Sequence, residues 1–135
     1  MTPSATSRTS PLPSPDRRRV LLDEDISRKL AHELRKRGRA DATAVFDQGL
    51  GASKDGQLFK ALRSLGDCVL VTWDNKMPVV HAAELEHHAV TLAVVDRRPY
   101  HRRWSGSEDA YVRDVVHRCL HRIETQPVRT VKVYR

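Results

Sequence analysis

From Arg19 onward, apolar and polar positions fall into blocks with two distinct periods. "RVLLD" (19–23) is a short apolar run of the kind that a strand buried in a sheet shows. In "ISRKLAHELRKRG" (26–38), Ile26, Leu30 and Leu34 recur at helical spacing with Arg and Lys between them. That predicts an amphipathic helix stopped by Gly38. "ATAVFD" (42–47) predicts a second strand, "QGLGAS" (48–53) a loop, and "KDGQLFKALRSLG" (54–66) a helix with Leu58, Phe59, Leu62 and Leu65 on one face. "CVLVTWD" (68–74) predicts a third strand. Pro78 suits the first turn of a helix through "PVVHAAELEHHA" (78–89). "VTLAVVD" (90–96) predicts a fourth strand and "RRPYHRRWSG" (97–106) a loop. Ser105 and Glu108 have capping-box spacing ahead of a long helix carrying Tyr111, Val112, Val115, Val116, Cys119, Leu120 and Ile123. "VRTVKVYR" (128–135) alternates as an edge strand does. Strands and helices alternating in this way predict an α/β domain of three layers, with a mostly parallel central sheet and helices on both faces.

The first sixteen residues, "MTPSATSRTSPLPSPD", break the pattern. They are rich in Pro, Ser and Thr, and their few apolar groups cannot offset the entropy of ordering them. The expected organisation is therefore a disordered tail over 1–16 and one domain over 17–135. A chain of 135 residues is long enough to bury a real core. No apolar run approaches the length of a membrane span, and the N-terminus lacks the apolar segment of a secretory signal. Cys68 and Cys119 each lie inside apolar stretches, which fits buried thiols in a reducing cytoplasm rather than a disulfide.

The net charge of +7 is unevenly spread. Residues 97–135 hold ten Arg or Lys against four Asp or Glu, while the rest holds fourteen against thirteen. A basic segment of this kind attracts polyanions by its field and by counterion release. It is equally compatible with a solvated arginine-rich face.

Acidic residues punctuate the strand ends. Asp23, Asp47, Asp74 and Asp96 each close a predicted strand, and Asp55 opens a predicted helix. In a parallel sheet these positions share the carboxyl edge, where ligands bind near the reversal of strand order. Carboxylates that converge raise one another's pKa unless a cation lies between them, and a hard divalent ion suits such a set. A single Asp in such a place also serves as an N-cap or turn former. Repetition at strand end after strand end is what favours a site.

Three stretches in order, "VLLDEDISRKLAHELRKRG", "DQGLGASKDGQLFKAL" and "CVLVTWD", resemble the PIN-like domain family in its short prokaryotic form, over roughly residues 19–96. That form has a strand ending in L-D-E-N, a G-x-x-S-D/E segment opening a helix, and a strand ending in T-x-D. The resemblance implies a metal-dependent endoribonuclease like the VapC toxins of toxin-antitoxin pairs, using Mg²⁺ or Mn²⁺. It implies Asp23, Asp55 and Asp74 as the metal-holding catalytic acids, with Glu24, Asp25 or Asp96 assisting and Thr72 supporting them from behind. An RNA substrate would be tracked by Lys76, Arg97, Arg98, Arg102, Arg103, Arg113, Arg118 and Arg122. A cognate antitoxin would silence the enzyme, and a homodimer would lengthen the basic groove. The chain departs from the family where D-x-D-F would continue: here it reads "DNKM", with Lys76 replacing an acid and Met77 an aromatic. The family's helical glutamate has no counterpart. The departure supports an alternative, a catalytically inactive PIN-like module that binds RNA or a protein partner.

Other constellations carry less. His117 and His121 have chelating i, i+4 spacing but no second ligand pair, and flanking arginines predict a solvated basic face. His81, His87 and His88 are expected at the surface. "GLGAS" lacks the Lys-Ser/Thr of a phosphate-binding loop. Trp73, just before Asp74, is placed to lie against a substrate base, but core packing is the expectation.

Overall fold

The computed structural model describes residues 18–23, 26, 28–39, 42–45, 55–65 and 67–135, with backbone alone at 55 and 56. The expected tail over 1–16, the "QGLGAS" loop and Asp47 lie outside the described residues. Five strands follow in chain order: β1 (Arg19–Leu22), β2 (Thr43–Ala44), β3 (Cys68–Thr72), β4 (Thr91–Val95) and β5 (Val131–Tyr134). Between and after them come α1 (Arg28–Lys36), α2 (Asp55–Leu65), α3 (Met77–Val80), α4 (Ala82–His87), α5 (Arg98–Arg103) and α6 (Glu108–Glu124). All strand pairs are parallel, and the spatial order is β2-β1-β3-β4-β5.

Strand alternation divides the core in two. Val20, Leu22, Val69, Val71, Ala93, Val95 and Tyr134 face one side, with apolar residues of α1 and α6. Leu21, Leu70, Leu92 and Val94 face the other, against Leu58, Phe59 and Leu62 of α2, Met77 of α3 and Leu85 of α4. A parallel sheet covered on both faces needs strands that are apolar at nearly every position, and β1, β3 and β4 are. The three-layer α/β architecture follows from that covering. Among the described residues no helix is long and apolar enough to cross a membrane.

Two helices end in the same hydrogen-bonded cap with different residues in it. After α1, Arg39 N–H donates to Leu34 O (2.9 Å) and Gly38 N–H to Arg35 O (3.1 Å), with Gly38 at φ +91°. After α4, Val90 N–H donates to Leu85 O (2.9 Å) and Ala89 N–H to Glu86 O (3.1 Å), with Ala89 at φ +55°. Both are Schellman caps, and the second puts a Cβ where only glycine is at ease. Its compensation is apolar: Leu85 and Val90, which meet across this cap, are both buried.

The structure revises three expectations. The cap of α6 is Ser107, whose hydroxyl accepts Ala110 N–H at 3.0 Å, rather than Ser105 paired with Glu108. Glu108 and Asp109 occupy the first turn, where negative charge suits the helix dipole. The expected loop 97–106 contains α5, a cationic helix without an apolar stripe. The expected helix 78–89 is two pieces, broken at His81 after the exposed β-branched pair Val79 and Val80. Elsewhere a buried ion pair, Arg39 Nη1 to Glu124 Oε2 at 3.0 Å, ties the end of α1 to the end of α6.

Replacing Ala89 with glycine relieves the left-handed cap. The expected result in urea unfolding is a gain of about 1 kcal/mol, and Gly38→Ala is expected to lose about as much.

Candidate functional site

Strand order reverses between β1 and β3. The chain leaves β1 for β2 on one side and returns to β3 on the other, and a crevice forms outside the carboxyl ends at such a point. Asp23 follows β1 directly, and Trp73 and Asp74 follow β3. The two strand ends are joined: Asp23 N–H donates to Val71 O at 2.9 Å, continuing the ladder.

Thr72 makes the second link. Its fully buried hydroxyl donates to Asp23 Oδ2 at 2.8 Å and accepts Asp74 N–H at 3.1 Å. Asp23 is only 7% exposed, so its carboxylate depends on donors or a cation to offset lost hydration. Asp74 is half-buried, and its Oδ1 accepts Lys76 N–H at 3.0 Å in the turn that follows. Asp74 makes no ion pair among the described residues, and Lys76 is exposed beside it. Asp55 opens α2, which the topology starts at this same edge; its side chain, with Glu24 and Asp25, lies outside the described residues.

Asp96, the acid closing β4, is committed elsewhere. Arg98 grips both its oxygens (Nε at 3.0 and 3.1 Å, Nη2 at 2.8 Å) and donates its N–H at 3.0 Å. Arg135 Nε adds a contact at 3.0 Å. The Arg98 guanidinium, foremost, and Arg135 hold this carboxyl far below the usual carboxylate range, against the opposing effect of burial. Tyr111 reaches the same residue from α6, its hydroxyl donating to Asp96 O at 2.6 Å. Both oxygens of Asp96 thus serve two arginines, one in α5 and one at position 135.

The arginines expected to track RNA are largely engaged within the chain. Arg97 lies 4.8 Å over the Trp73 ring and 3.2 Å from Glu108, which places the half-buried Trp73 between core and surface. Arg113 bridges Asp109 (2.9 Å) and Glu33 (2.6 Å), and Arg118 meets Asp114 at 2.7 Å. Arg122 donates to Cys119 Sγ and stands over Tyr134. Arg102 and Arg103, exposed on α5, have no ion-pair partner among the described residues. His117 is half-buried and partnered: it faces Glu33 Oε1 at 2.9 Å and Arg37 Nη1 at 2.7 Å, joining α6 to α1 and the residue after it. The His117 hydrogen bond, with help from Arg113, lowers the Glu33 pKa.

Hard carboxylate oxygens at a strand switch fit the chemistry of Mg²⁺ or Mn²⁺. Among the described residues no group of three or more His, Cys, Asp or Glu is placed to hold a metal; Asp23 and Asp74 are the acids described at this crevice. Comparison with family models, curated proteins and solved structures found no match to this chain.

Thr72→Val removes the hydroxyl that serves both acids and leaves a buried carboxylate oxygen and an amide short of a partner. Urea unfolding is expected to show a loss of about 1–3 kcal/mol. Thr72→Ser, which keeps the hydroxyl, is expected to lose less.

Proposed function

We propose that this chain is a metal-dependent endoribonuclease of the PIN-like kind, working in the cytoplasm as the toxin of a toxin-antitoxin pair. The observation that carries the reading is the Asp23–Thr72–Asp74 link at the switch point. It supports two carboxylates on adjacent strands, one buried and one half-open, presented at the edge where such sheets bind ligands.

Asp23 and Asp74 hold Mg²⁺ or Mn²⁺ in this reading, with Asp55 as the third acid and Glu24 or Asp25 assisting. Bound there, the ion supplies an activated water and neutralises charge on the phosphodiester. Thr72 fixes the orientation of the Asp23 carboxylate at the strand end, because its hydroxyl donates to one carboxylate oxygen. Lys76, beside Asp74, meets substrate phosphate. Arg102 and Arg103 on α5 are the cations best placed to follow the RNA backbone, since Arg97, Arg98, Arg113, Arg118 and Arg122 already have partners in the fold. An antitoxin covers this edge, and a second copy of the chain extends it.

The second reading, an inactive module that binds RNA or a protein, draws on Lys76. An ammonium replaces an acid beside the crevice, and Asp96 is spent on arginines. The two readings separate in one assay. Structured RNA is incubated with the purified chain and Mn²⁺ or Mg²⁺, with and without EDTA. The nuclease reading expects metal-dependent cleavage that Asp23→Asn and Asp74→Asn each reduce by about a hundredfold or more, with native circular dichroism. Cleavage that survives both substitutions contradicts it. Bound but uncut RNA favours the inactive module.

A further inference from the structure

The opposite edge of the sheet holds a cavity of about 410 Å³, a volume typical of small-molecule sites. It opens at the amino ends of β3 and β4, where Cys68 and Thr91 start their strands, four residues of β3 away from Thr72. Leu62, Leu70, Val90 and Val128 give it apolar walls. Arg63 and Arg129 stand on its rim, both exposed and both without an ion-pair partner among the described residues. Asp67, the one acid in the lining among the described residues, is already paired with Arg18 at 3.0 Å.

The two arginines differ in what the fold asks of them. Arg63 lies in the last turn of α2, where a cation balances the helix dipole. Arg129 has no helix to balance. It sits in the turn before β5 at φ +63°, a conformation that costs a long side chain about 1 kcal/mol and that glycine or asparagine adopts more readily. Its N–H donates to Thr91 Oγ1 at 2.9 Å, which fixes the turn against the cavity wall. A strained position thus carries a guanidinium at the mouth of an apolar hollow. His88, also in the lining, has a buried Nδ1 with no hydrogen-bond partner.

We infer that this cavity binds a small organic anion: an apolar or aromatic body seated against Leu62, Leu70 and Val90, with a phosphate or carboxylate between Arg63 and Arg129. Two guanidiniums at the mouth suit either oxyanion, and the apolar walls favour a ligand with an apolar body over an inorganic ion. The site is separate from the acids at the carboxyl edge and stands or falls without them.

The test titrates the full chain with phenyl phosphate, phenylacetate and benzyl alcohol, followed by amide chemical shifts. At least one anion is expected to bind saturably, with shifts centred on residues 62–70, 88–91 and 128–129, and the neutral alcohol is expected not to. The anion that binds identifies the headgroup. Bound anion is also expected to slow alkylation of Cys68, the half-buried thiol in the lining. Arg63→Gln combined with Arg129→Asn, which tolerates the left-handed turn, is expected to weaken binding at least about tenfold while circular dichroism stays native. Three results overturn the inference: no saturation by either anion up to about 10 mM, equal binding of benzyl alcohol, or unchanged affinity in the folded double variant.

Discussion

The hydroxyl of Thr72 gives its proton to Asp23 and takes the amide hydrogen of Asp74, and those two bonds close the gap where the sheet reverses direction. A carboxylate as buried as Asp23 is costly unless something answers its charge. β1 and β3 lie side by side, so a neighbouring strand supplies one donor to it. Placing an acid there takes the whole architecture. Both faces of the sheet must be covered for the strand ends to be dry, and α1 and α6 on one face and α2 to α4 on the other do that.

Charge elsewhere in the molecule is spent on structure. Asp96 terminates its strand as Asp23 and Asp74 do theirs, but Arg98 and Arg135 saturate it, so one edge carries two kinds of acid. The first kind is held by arginines of α5 and the C-terminus; the second sits at the strand-order switch point. The same economy applies to the arginines. Of the ten cations in the basic C-terminal segment, five are ion-paired: Arg97, Arg113 and Arg118 with Glu108, Glu33, Asp109 and Asp114, and Arg98 and Arg135 with Asp96. Arg102 and Arg103 on α5, and Arg63 and Arg129 on the rim of the amino-edge cavity, have no ion-pair partner among the described residues.

The strands were legible in the chain, because a parallel sheet covered on both sides leaves near-continuous apolar runs; the face each residue serves was not, since such a run has no alternation to mark it. Gly38 was legible as a helix end because glycine is what a left-handed cap selects; Ala89 was not, because alanine carries no such signal and only its hydrogen bonds reveal the cap. "SGSED" offers two serines two residues apart, and side-chain geometry, not spacing, decided for Ser107. α5 was invisible to periodicity because "RRPYHRR" has no apolar stripe. Thr72 between Asp23 and Asp74 followed from motif and topology together. The loss of Asp96 to Arg135 could not, since it depends on β4 and β5 lying adjacent across 39 positions of sequence. His117 was missed for the same reason: Glu33, its partner, is 84 residues away.

The claim at the centre is that Asp23 and Asp74 jointly hold a divalent ion at the switch point, and paramagnetic Mn²⁺ tests it without reference to activity. Added in small amounts to the isotopically labelled chain, Mn²⁺ should broaden first the amides at the ends of β1 and β3, around residues 22–23 and 72–75. Asp23→Asn or Asp74→Asn should abolish that broadening. Broadening scattered over surface acids, or unchanged at these amides in both folded variants, would contradict the account.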